Sequence, residues 1–270
     1  MIHIVTSANR RLYRRQIWEM FNERRKAFYE RCGWRDLMVF EGAEVDDFDD
    51  EKAVYLMALD EDERLEGAVR ARPTEDRCIL ADKYPQMIGP DAPPLKGPDV
   101  WETTRIFTTE LYRSRREKGS KRAFEIGLAS VEVIVAAGGR RMVGMIDLHL
   151  LPMLDDTGGD VHLAGPPLEY AYGTMVGTWT PVDDAELERI RDSLAMAPIS
   201  IAYEVDEDDF ATFGSLAEIQ RAVDSARAIA ATAVTDLETP PLRSIALITA
   251  LYAKHDAASA DWLDQDLLSA

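Results

Sequence analysis

Apolar positions along the first third of the chain recur at two spacings. Residues 1–6 read as a short strand. Over residues 8–31, Tyr13, Ile17, Met20, Phe21 and Phe28 recur near helical spacing, which predicts one or two amphipathic helices. Residues 33–51 form a loop that holds Trp34 and many acids. Residues 54–59 and 65–72 are strand-like, and the polar segment Asp60-Glu61-Asp62-Glu63-Arg64 joins them as a hairpin. The Pro-rich stretch 73–98 reads as loop, and 100–108 reads as a strand. Residues 120–137 carry the pattern of an amphipathic helix stopped by Gly138-Gly139. A short buried strand follows at 142–146, then a helix at 147–154 that contains Pro152. Late strands at 161–163 and 170–179 flank the turn Gly165-Pro166-Pro167. This order predicts an α+β or α/β sandwich of about 190 residues.

The remainder has a different texture. Residues 183–194 are helical by pattern, and 199–203 suit a short strand. An acidic run, Asp206-Glu207-Asp208-Asp209, precedes Ala-rich amphipathic segments at 216–234 and 242–255, which Pro240-Pro241 separates. The chain is therefore divided into an α/β domain, 1–195, and an acidic helical C-terminal extension, 196–270. The extension's expected role is packing or homodimer formation.

Charge sharpens this division. The formal charge is -18, and about two-thirds of the excess follows Pro181. Such a balance argues against general nucleic-acid binding. Basic residues cluster earlier, at Arg10, Arg11, Arg14 and Arg15, at Arg24, Arg25, Lys26 and Arg31, and at Arg113, Arg115, Arg116, Lys118, Lys121 and Arg122. The apolar stretches are too short for a membrane span, and the N-terminus lacks the features of a signal peptide, so a cytoplasmic location is expected. Cys32 and Cys78 are read as reduced structural thiols, and the four histidines show no metal-ligand spacing.

Three segments hold candidate chemistry. Arg24 and Phe28 share a helix face and are followed by Gly33-Trp34. Glu44, Asp46, Asp47 and Asp49 fill one loop. Glu102 and Arg105 lie on one strand between Trp101 and Phe107, on opposite faces by their odd separation. Arg70 sits near the end of another strand. Singly, each has an ordinary explanation: an Arg stem over an apolar neighbour, a plugging tryptophan, a solvated acidic loop, an ion-paired strand end.

Jointly and in this order, the segments resemble the LuxI-type acyl-homoserine-lactone synthases over roughly residues 1–185. The Arg70 hairpin, Arg72-Pro73-Thr74, Leu80-Ala81-Asp82-Lys83-Tyr84-Pro85 and Gly173-Thr174-Met175-Val176 extend the likeness. The resemblance implies a fold similar to the GCN5-related N-acetyltransferases, a three-layer α/β/α sandwich with a V-split mixed sheet. It implies an acyltransferase with S-adenosylmethionine as a substrate and no cofactor. The amine of S-adenosylmethionine attacks an acyl thioester, and its carboxylate then displaces the sulfonium, closing a lactone and releasing methylthioadenosine. The product is a quorum-sensing signal.

On that resemblance the residue types take roles. Asp46 and Asp49 would hold the cationic groups, and Arg24 or Arg105 the carboxylate. Phe28, Trp34 and Phe107 would cover the sulfonium and adenine. Glu102 is the candidate general base, with Asp46 as the fallback. Strand N–H groups near Arg105 to Phe107 would stabilise the thioester oxyanion. Arg70 and Glu44 are assigned to ion pairs that fix the acidic loop. The acyl pocket is assigned to Met142, Gly144, Met145, Ile146, Leu150 and Trp179. In relatives that take 3-oxo chains a Thr often stands where Gly144 does, which implies a different acyl group here. The donor, acyl-carrier protein or acyl-CoA, would dock on the 113–122 cluster together with Arg140 and Arg141.

Two departures stand out. Ile106 separates Arg105 from Phe107, where many relatives have Phe directly, and Tyr84 replaces a common Phe. Two rival readings compete. An ordinary N-acyltransferase using acyl-CoA would want a phosphate-cradling turn, which Arg116-x-x-Gly119-x-Lys121 matches only in part. A non-catalytic, degenerate synthase would act as a binding module through its tail.

Overall fold

The computed structural model describes residues 1–204, apart from Ala8, 116–119 and 197–198. The expected helices at 216–234 and 242–255 lie outside the described residues. The chain runs through β1 (Ile2–Val5), a 3-10 turn and α1 (Arg14–Arg24), which continues into a π-helical stretch, Arg25–Arg31. A two-residue hairpin follows, β2 (Val39–Phe40) and β3 (Ala43–Glu44), then β4 (Val54–Leu59) and β5 (Leu65–Pro73). Next come α2 (Ile79–Lys83), β6 (Val100–Thr108), α3 (Glu110–Arg115) and α4 (Ser120–Ala136). The second half holds β7 (Arg141–Asp147), α5 (Leu151–Asp155), β8 (His162–Leu163), β9 (Leu168–Tyr170), β10 (Gly173–Pro181), α6 (Asp184–Leu194) and β11 (Ile201–Ala202).

The main sheet has the order β11-β1-β4-β5-β6-β7-β10-β8, with β9 paired to β10. Most pairs are antiparallel, with a short hairpin joining β4 to β5, but β6 and β7 run parallel with α4 as the crossover. Their ladder covers only Val100 to Glu102 against Arg141 to Val143. Beyond it the two strands part, so the sheet is a V with β6 on one blade and β7 with β10 on the other. This is the split mixed sheet that the resemblance implied. The sheet also runs past residue 195: β11 pairs in parallel with β1 through Ile2 and Ile201.

Each face of the sheet has its own core. The α4 face packs Ile4, Leu56, Val69, Ala71 and Trp101 under Ile126, Ala129 and Val133, with Leu187 and Ile190 of α6. The α1 face packs Tyr55, Met57, Ala68 and Phe107 under Ile17, Met20, Phe21 and Phe28. A third cluster, on the same side near α2, joins Leu80, Met87, Val100 and Val143. Within 73–98, read as loop, the structure has α2 and a 3-10 turn, Pro85–Met87. Among the described residues no helix is long and apolar enough to cross a membrane.

Candidate active site

The feature that organises the site is a bulge in β6. Ala68 pairs with Phe107 and Arg70 with Thr104, so Val69 faces two residues, Arg105 and Ile106. Arg105 takes the extra turn with φ +58°, a left-handed conformation that a branched Cβ disfavours. Strict alternation would put Arg105 on the face opposite Glu102. The bulge turns it instead toward the α1 face, which corrects the expectation from spacing. There Arg105 Nη2 donates to Glu44 Oε1 and to Asp46 Oδ2, both at 2.9 Å. Ile106 becomes the exposed residue, close to Gly127 of α4.

Arg105 is one corner of a closed charge network. Arg24 donates from Nε to Glu44 Oε2 at 2.6 Å and from its two terminal nitrogens to Asp49 at 2.7 and 3.0 Å. Arg70 grips Asp46 at 2.5 and 3.1 Å, reaches Asp49 at 2.9 Å and donates Nε to Thr104 Oγ1 at 3.1 Å. The Tyr55 hydroxyl donates to Asp49 at 3.1 Å. The loop that carries the acids is itself pinned, because the Asp46 N–H donates to Asp49 Oδ2 and the Phe48 N–H donates to Asp46 Oδ1. Three arginines thus face three carboxylates, and the buried charge cancels.

Burial differs across the network, and this separates structural from accessible groups. The side chains of Arg24 and Arg70 are 1% exposed and those of Glu44 and Asp49 0%, whereas Asp46 keeps 15% and Arg105 12%. Arg24 and Asp49, expected as substrate contacts, are thus enclosed and tie the acidic loop to α1. Their donors and acceptors are spent on each other, and no face is open to a ligand. Burial alone would raise all three carboxyls. Arg24 and Arg105 reverse this for Glu44, Arg70 and Arg105 do so for Asp46, and Arg24 and Arg70 do so for Asp49, so all three titrate below the usual range.

Glu102 sits on the same sheet face but does different work. It is 3% exposed, and its oxygens accept the N–H groups of Ile79 and Leu80 at 2.8 Å each. The Cys78 thiol adds a contact at 3.4 Å to the same carboxylate. Burial raises its pKa against these bonds, and the adjacent Cys78 thiol is pushed up to about 12. Glu102, expected as the general base, thus also anchors α2, since both oxygens accept from the first turn of that helix. Asp46, the fallback base, has a depressed pKa and accepts from two arginines, which suits holding a cation rather than taking a proton.

Next to Arg105 stands an aromatic wall. Phe28 stacks on Trp34 with centroids 5.3 Å apart and 23° between planes, and meets Phe107 edge-on at 6.1 Å. The Arg105 guanidinium lies 5.7 Å from the Phe28 centroid. Phe28 lies in the π-helical stretch after Arg24, and π turns recur at functional sites. The structure therefore brings Asp46, Arg105, Phe28, Trp34 and Phe107 to one place.

The six acyl-pocket residues do not share a place. Alternation along β7 puts Met142, Gly144 and Ile146 on the α4 side, level with Thr180, Thr178 and Val176 of β10. Met145 and Trp179 pack on the opposite side, against the cluster around Leu80. Trp179 is further covered by His162, stacked at 4.2 Å, and by Arg141 at 5.7 Å. Met145 and Trp179 thus lie, half-buried, on the sheet face opposite Met142, Gly144 and Ile146. Leu150 is 37% exposed, in the turn after β7. Gly144 faces across the split, where an added Cβ would come within 3.0 Å of the Thr103 carbonyl oxygen.

The expected docking cluster is partly occupied by the protein itself. Arg122 pairs with Glu66 and Glu125, Arg113 donates to the Thr108 carbonyl, and Arg141 donates to the Pro94 carbonyl at 2.8 Å. Lys121 lies 3.8 Å from Glu125, and Arg140 is exposed. Arg116 and Lys118 lie outside the described residues, as does the side chain of Arg115. Sequence reasoning missed Tyr170 and Tyr172, which touch the Trp34 loop. The aromatic-rich turn Tyr170-Ala171-Tyr172-Gly173 was the available signal.

Residues 8–190 match the family described as autoinducer synthase. The chain is 29% identical over 201 residues to the isovaleryl-homoserine lactone synthase of Bradyrhizobium diazoefficiens, covering 74% of this chain and 88% of that one. An acyl-homoserine-lactone synthase of Ralstonia solanacearum is 29% identical over 161 residues, 59% of this chain and 79% of the relative. Among solved structures, the CoA-dependent acyl-homoserine lactone synthase BjaI, with SAM and isopentyl-CoA, superposes with a TM-score of 0.67 at 26% identity. That match covers 78% of this chain and 97% of BjaI. MesI, another CoA-dependent acyl-homoserine lactone synthase, gives 0.65 at 25% identity, covering 75% and 99%. The chain belongs to the autoinducer synthase family and is an acyltransferase of the acyl-homoserine-lactone synthase type.

Proposed function

We propose that the enzyme makes its acyl-homoserine lactone from S-adenosylmethionine and an acyl-CoA, with the two substrates meeting at the β6 bulge. The observation that carries this reading is the bulge itself. It delivers Arg105 and the accessible edge of Asp46 to the foot of the Phe28–Trp34–Phe107 wall, next to the point where the two blades part. Support for CoA as the donor comes from the similarity to BjaI and MesI, both CoA-dependent synthases.

S-adenosylmethionine has a sulfonium, an ammonium and a carboxylate. Asp46, held ionised by Arg70 and Arg105, faces the cationic end, Arg105 meets the carboxylate, and the aromatic wall covers the sulfonium. The ammonium loses its proton to water, because Glu102 and Asp46 are both already engaged. The free amine then attacks the thioester carbonyl, a C–N bond forms, the C–S bond breaks, and the departing CoA thiolate takes up the proton that the amide nitrogen loses. N–H groups of β6 beyond the last rung with β7 stabilise the oxyanion. In the second step a carboxylate oxygen attacks the γ-carbon as its bond to sulfur breaks. Methylthioadenosine leaves neutral, since the carboxylate charge and the sulfonium charge cancel. The acyl chain runs along the α4 side of the split, past Gly144 and Ile146.

The test is mass spectrometry of purified enzyme with S-adenosylmethionine and a matched panel of acyl-CoA and acyl-carrier-protein donors. Methylthioadenosine and an acyl-homoserine lactone formed from CoA thioesters are expected. Turnover from carrier protein alone overturns the donor assignment, and acyl transfer without methylthioadenosine overturns the lactone.

A further inference from the structure

The loop that carries Trp34 belongs to the α1 side, yet it is tied to the other blade. The Trp34 indole N–H donates to the Tyr170 hydroxyl at 3.0 Å, and the Tyr170 hydroxyl donates onward to Asp147 Oδ1 at 2.7 Å. One residue along, the Arg35 N–H donates to the Tyr172 hydroxyl at 3.0 Å. Gly33 lies against the Tyr172 ring, where an added Cβ would come 3.6 Å from it. Tyr170 ends β9, Tyr172 lies in the turn into β10, and Asp147 is the last residue of β7. These contacts lie at the open end of the V, since the β6–β7 ladder stops at Val143, four residues before Asp147.

The chemistry of the tie is one-directional. The indole N–H is Trp34's only polar group and can serve a single acceptor. Once Tyr170 takes it, the ring has a fixed edge and keeps its face on Phe28. A half-buried loop tryptophan without that bond would have to be ordered by the ligand, at the ligand's expense in affinity. The Tyr170 hydroxyl meets this demand because Asp147 takes its proton side, leaving a lone pair for the indole.

We infer that Tyr170 is a positioning residue of the S-adenosylmethionine site, acting through Trp34, with Asp147 orienting its hydroxyl. The identity of the ligand rests on the function proposed above, whereas the tie itself does not. Tyr170→Phe keeps the ring that meets Trp34 edge-on at 6.4 Å and removes both hydrogen bonds. Loss of one such bond lowers affinity by about three- to tenfold. The expected result is a rise of that size in KM and Kd for S-adenosylmethionine, with kcat at saturation changed less than about twofold.

Three controls separate positioning from general damage. In a Trp34→Phe background there is no N–H to hold, so adding Tyr170→Phe is expected to change Kd less than about 1.5-fold. Asp147→Asn still offers an oxygen to Tyr170 and is expected to stay near wild type, whereas Asp147→Ala follows Tyr170→Phe. Acrylamide quenching assigned to Trp34, taken as the difference between each protein and its Trp34→Phe counterpart, is expected to rise in Tyr170→Phe with or without ligand. Unchanged Kd and quenching in Tyr170→Phe overturn the inference, as does an equal loss of affinity in the Trp34→Phe background. If the wild-type enzyme does not bind S-adenosylmethionine, the ligand assignment fails, and the quenching difference alone decides whether Tyr170 holds Trp34.

Discussion

The two blades of the V are built from different materials. On the β4–β5–β6 blade, Arg24, Arg70 and Arg105 are locked to Glu44, Asp46 and Asp49 beneath α1. On the β7–β10 blade, the α4-side positions facing the split are small or apolar, among them Gly144, Ile146 and Val176. Charged groups fix geometry because each needs a partner at a set distance and angle. Apolar and glycine positions set shape and can vary without leaving an unpaired charge. In the proposed reaction the first blade holds the reacting groups of S-adenosylmethionine and the second selects the acyl chain.

The comparison is broken most severely by removing a charge from the enclosed part of the network. Arg24→Ala leaves Glu44 and Asp49 sharing the remaining guanidiniums inside a dry site, and such losses cost about 3–5 kcal/mol. Urea denaturation is the measurement, and a loss below about 1 kcal/mol would show that the network is less closed than its burial indicates. The same carboxylates set an acid limit. Their folded pKa values lie below the unfolded range near 4, so their contribution is complete above that range. It is lost as the pH falls through the folded values. Glu102, Glu19 and Glu132, with raised pKa values, work in the opposite sense, whereas Asp76 and Asp82 are lowered and add to the acid limit. Stability is expected to be flat from about pH 7 to 5 and to fall steeply below about 4.

Glu102→Gln comes next in size. One carboxylate oxygen becomes an NH2 group that must face a donor of α2, the Ile79 or Leu80 N–H. The expected cost is about 1–3 kcal/mol of stability. Because Glu102 anchors rather than accepts a proton, the pH dependence of kcat/KM should keep its shape in this variant. A lost ionisation in that profile would restore Glu102 as the base.

Asp46→Asn tests the accessible edge. It keeps the shape and one acceptor oxygen but removes the charge that faces the substrate's cationic end. A fall of about tenfold in kcat/KM is expected, with a smaller change in stability than for Arg24→Ala, since Asp46 is the more exposed partner. Steady-state kinetics on the purified variant decide it, and wild-type turnover would remove Asp46 from the site.

Much of the first blade was legible in the sequence. Strands 54–59 and 100–108 have the boundaries that pattern reading predicts, because buried β-branched and aromatic runs end sharply at polar turns. The ordered set Arg24, Glu44, Asp46, Asp49, Arg70 and Arg105 also converges as a group. The burial of each member was not legible, since a one-dimensional pattern cannot tell an arginine that grips a ligand from one sealed against Glu44. The bulge was hidden too: it is normally signalled by glycine, and here Arg105 adopts the left-handed turn, held by its two carboxylates. Proline obscured α2, whose first turn is capped by a residue more than 20 positions away. On the second blade pattern reading ran β9 and β10 together as one strand at 170–179, missing the turn between them, and gave no faces. Met145 and Trp179 therefore joined Gly144 on paper while lying on the other side of the sheet.

The smallest predicted effect is the one that tests the second blade directly. Gly144 has no backbone need for glycine, because its φ is not in the left-handed region. Its value is space: a Cβ would sit 3.0 Å from the Thr103 carbonyl oxygen, a backbone atom that cannot rotate aside. In Gly144→Ala the blades must part by a few tenths of an ångström, and the proposed path of the acyl chain gains a methyl group. Stability should change by less than about 1 kcal/mol, since the strand gains from a less flexible unfolded chain what it loses in fit. The expected kinetic signature is a drop of about threefold in kcat/KM for long acyl donors, a smaller drop for short ones, and no change in KM for S-adenosylmethionine. A donor series of increasing chain length, compared between the two proteins, measures this. A uniform loss across the series would mean that Gly144 supports the thioester end of the cleft rather than the acyl chain, and the division of labour between the blades would have to be redrawn at that point.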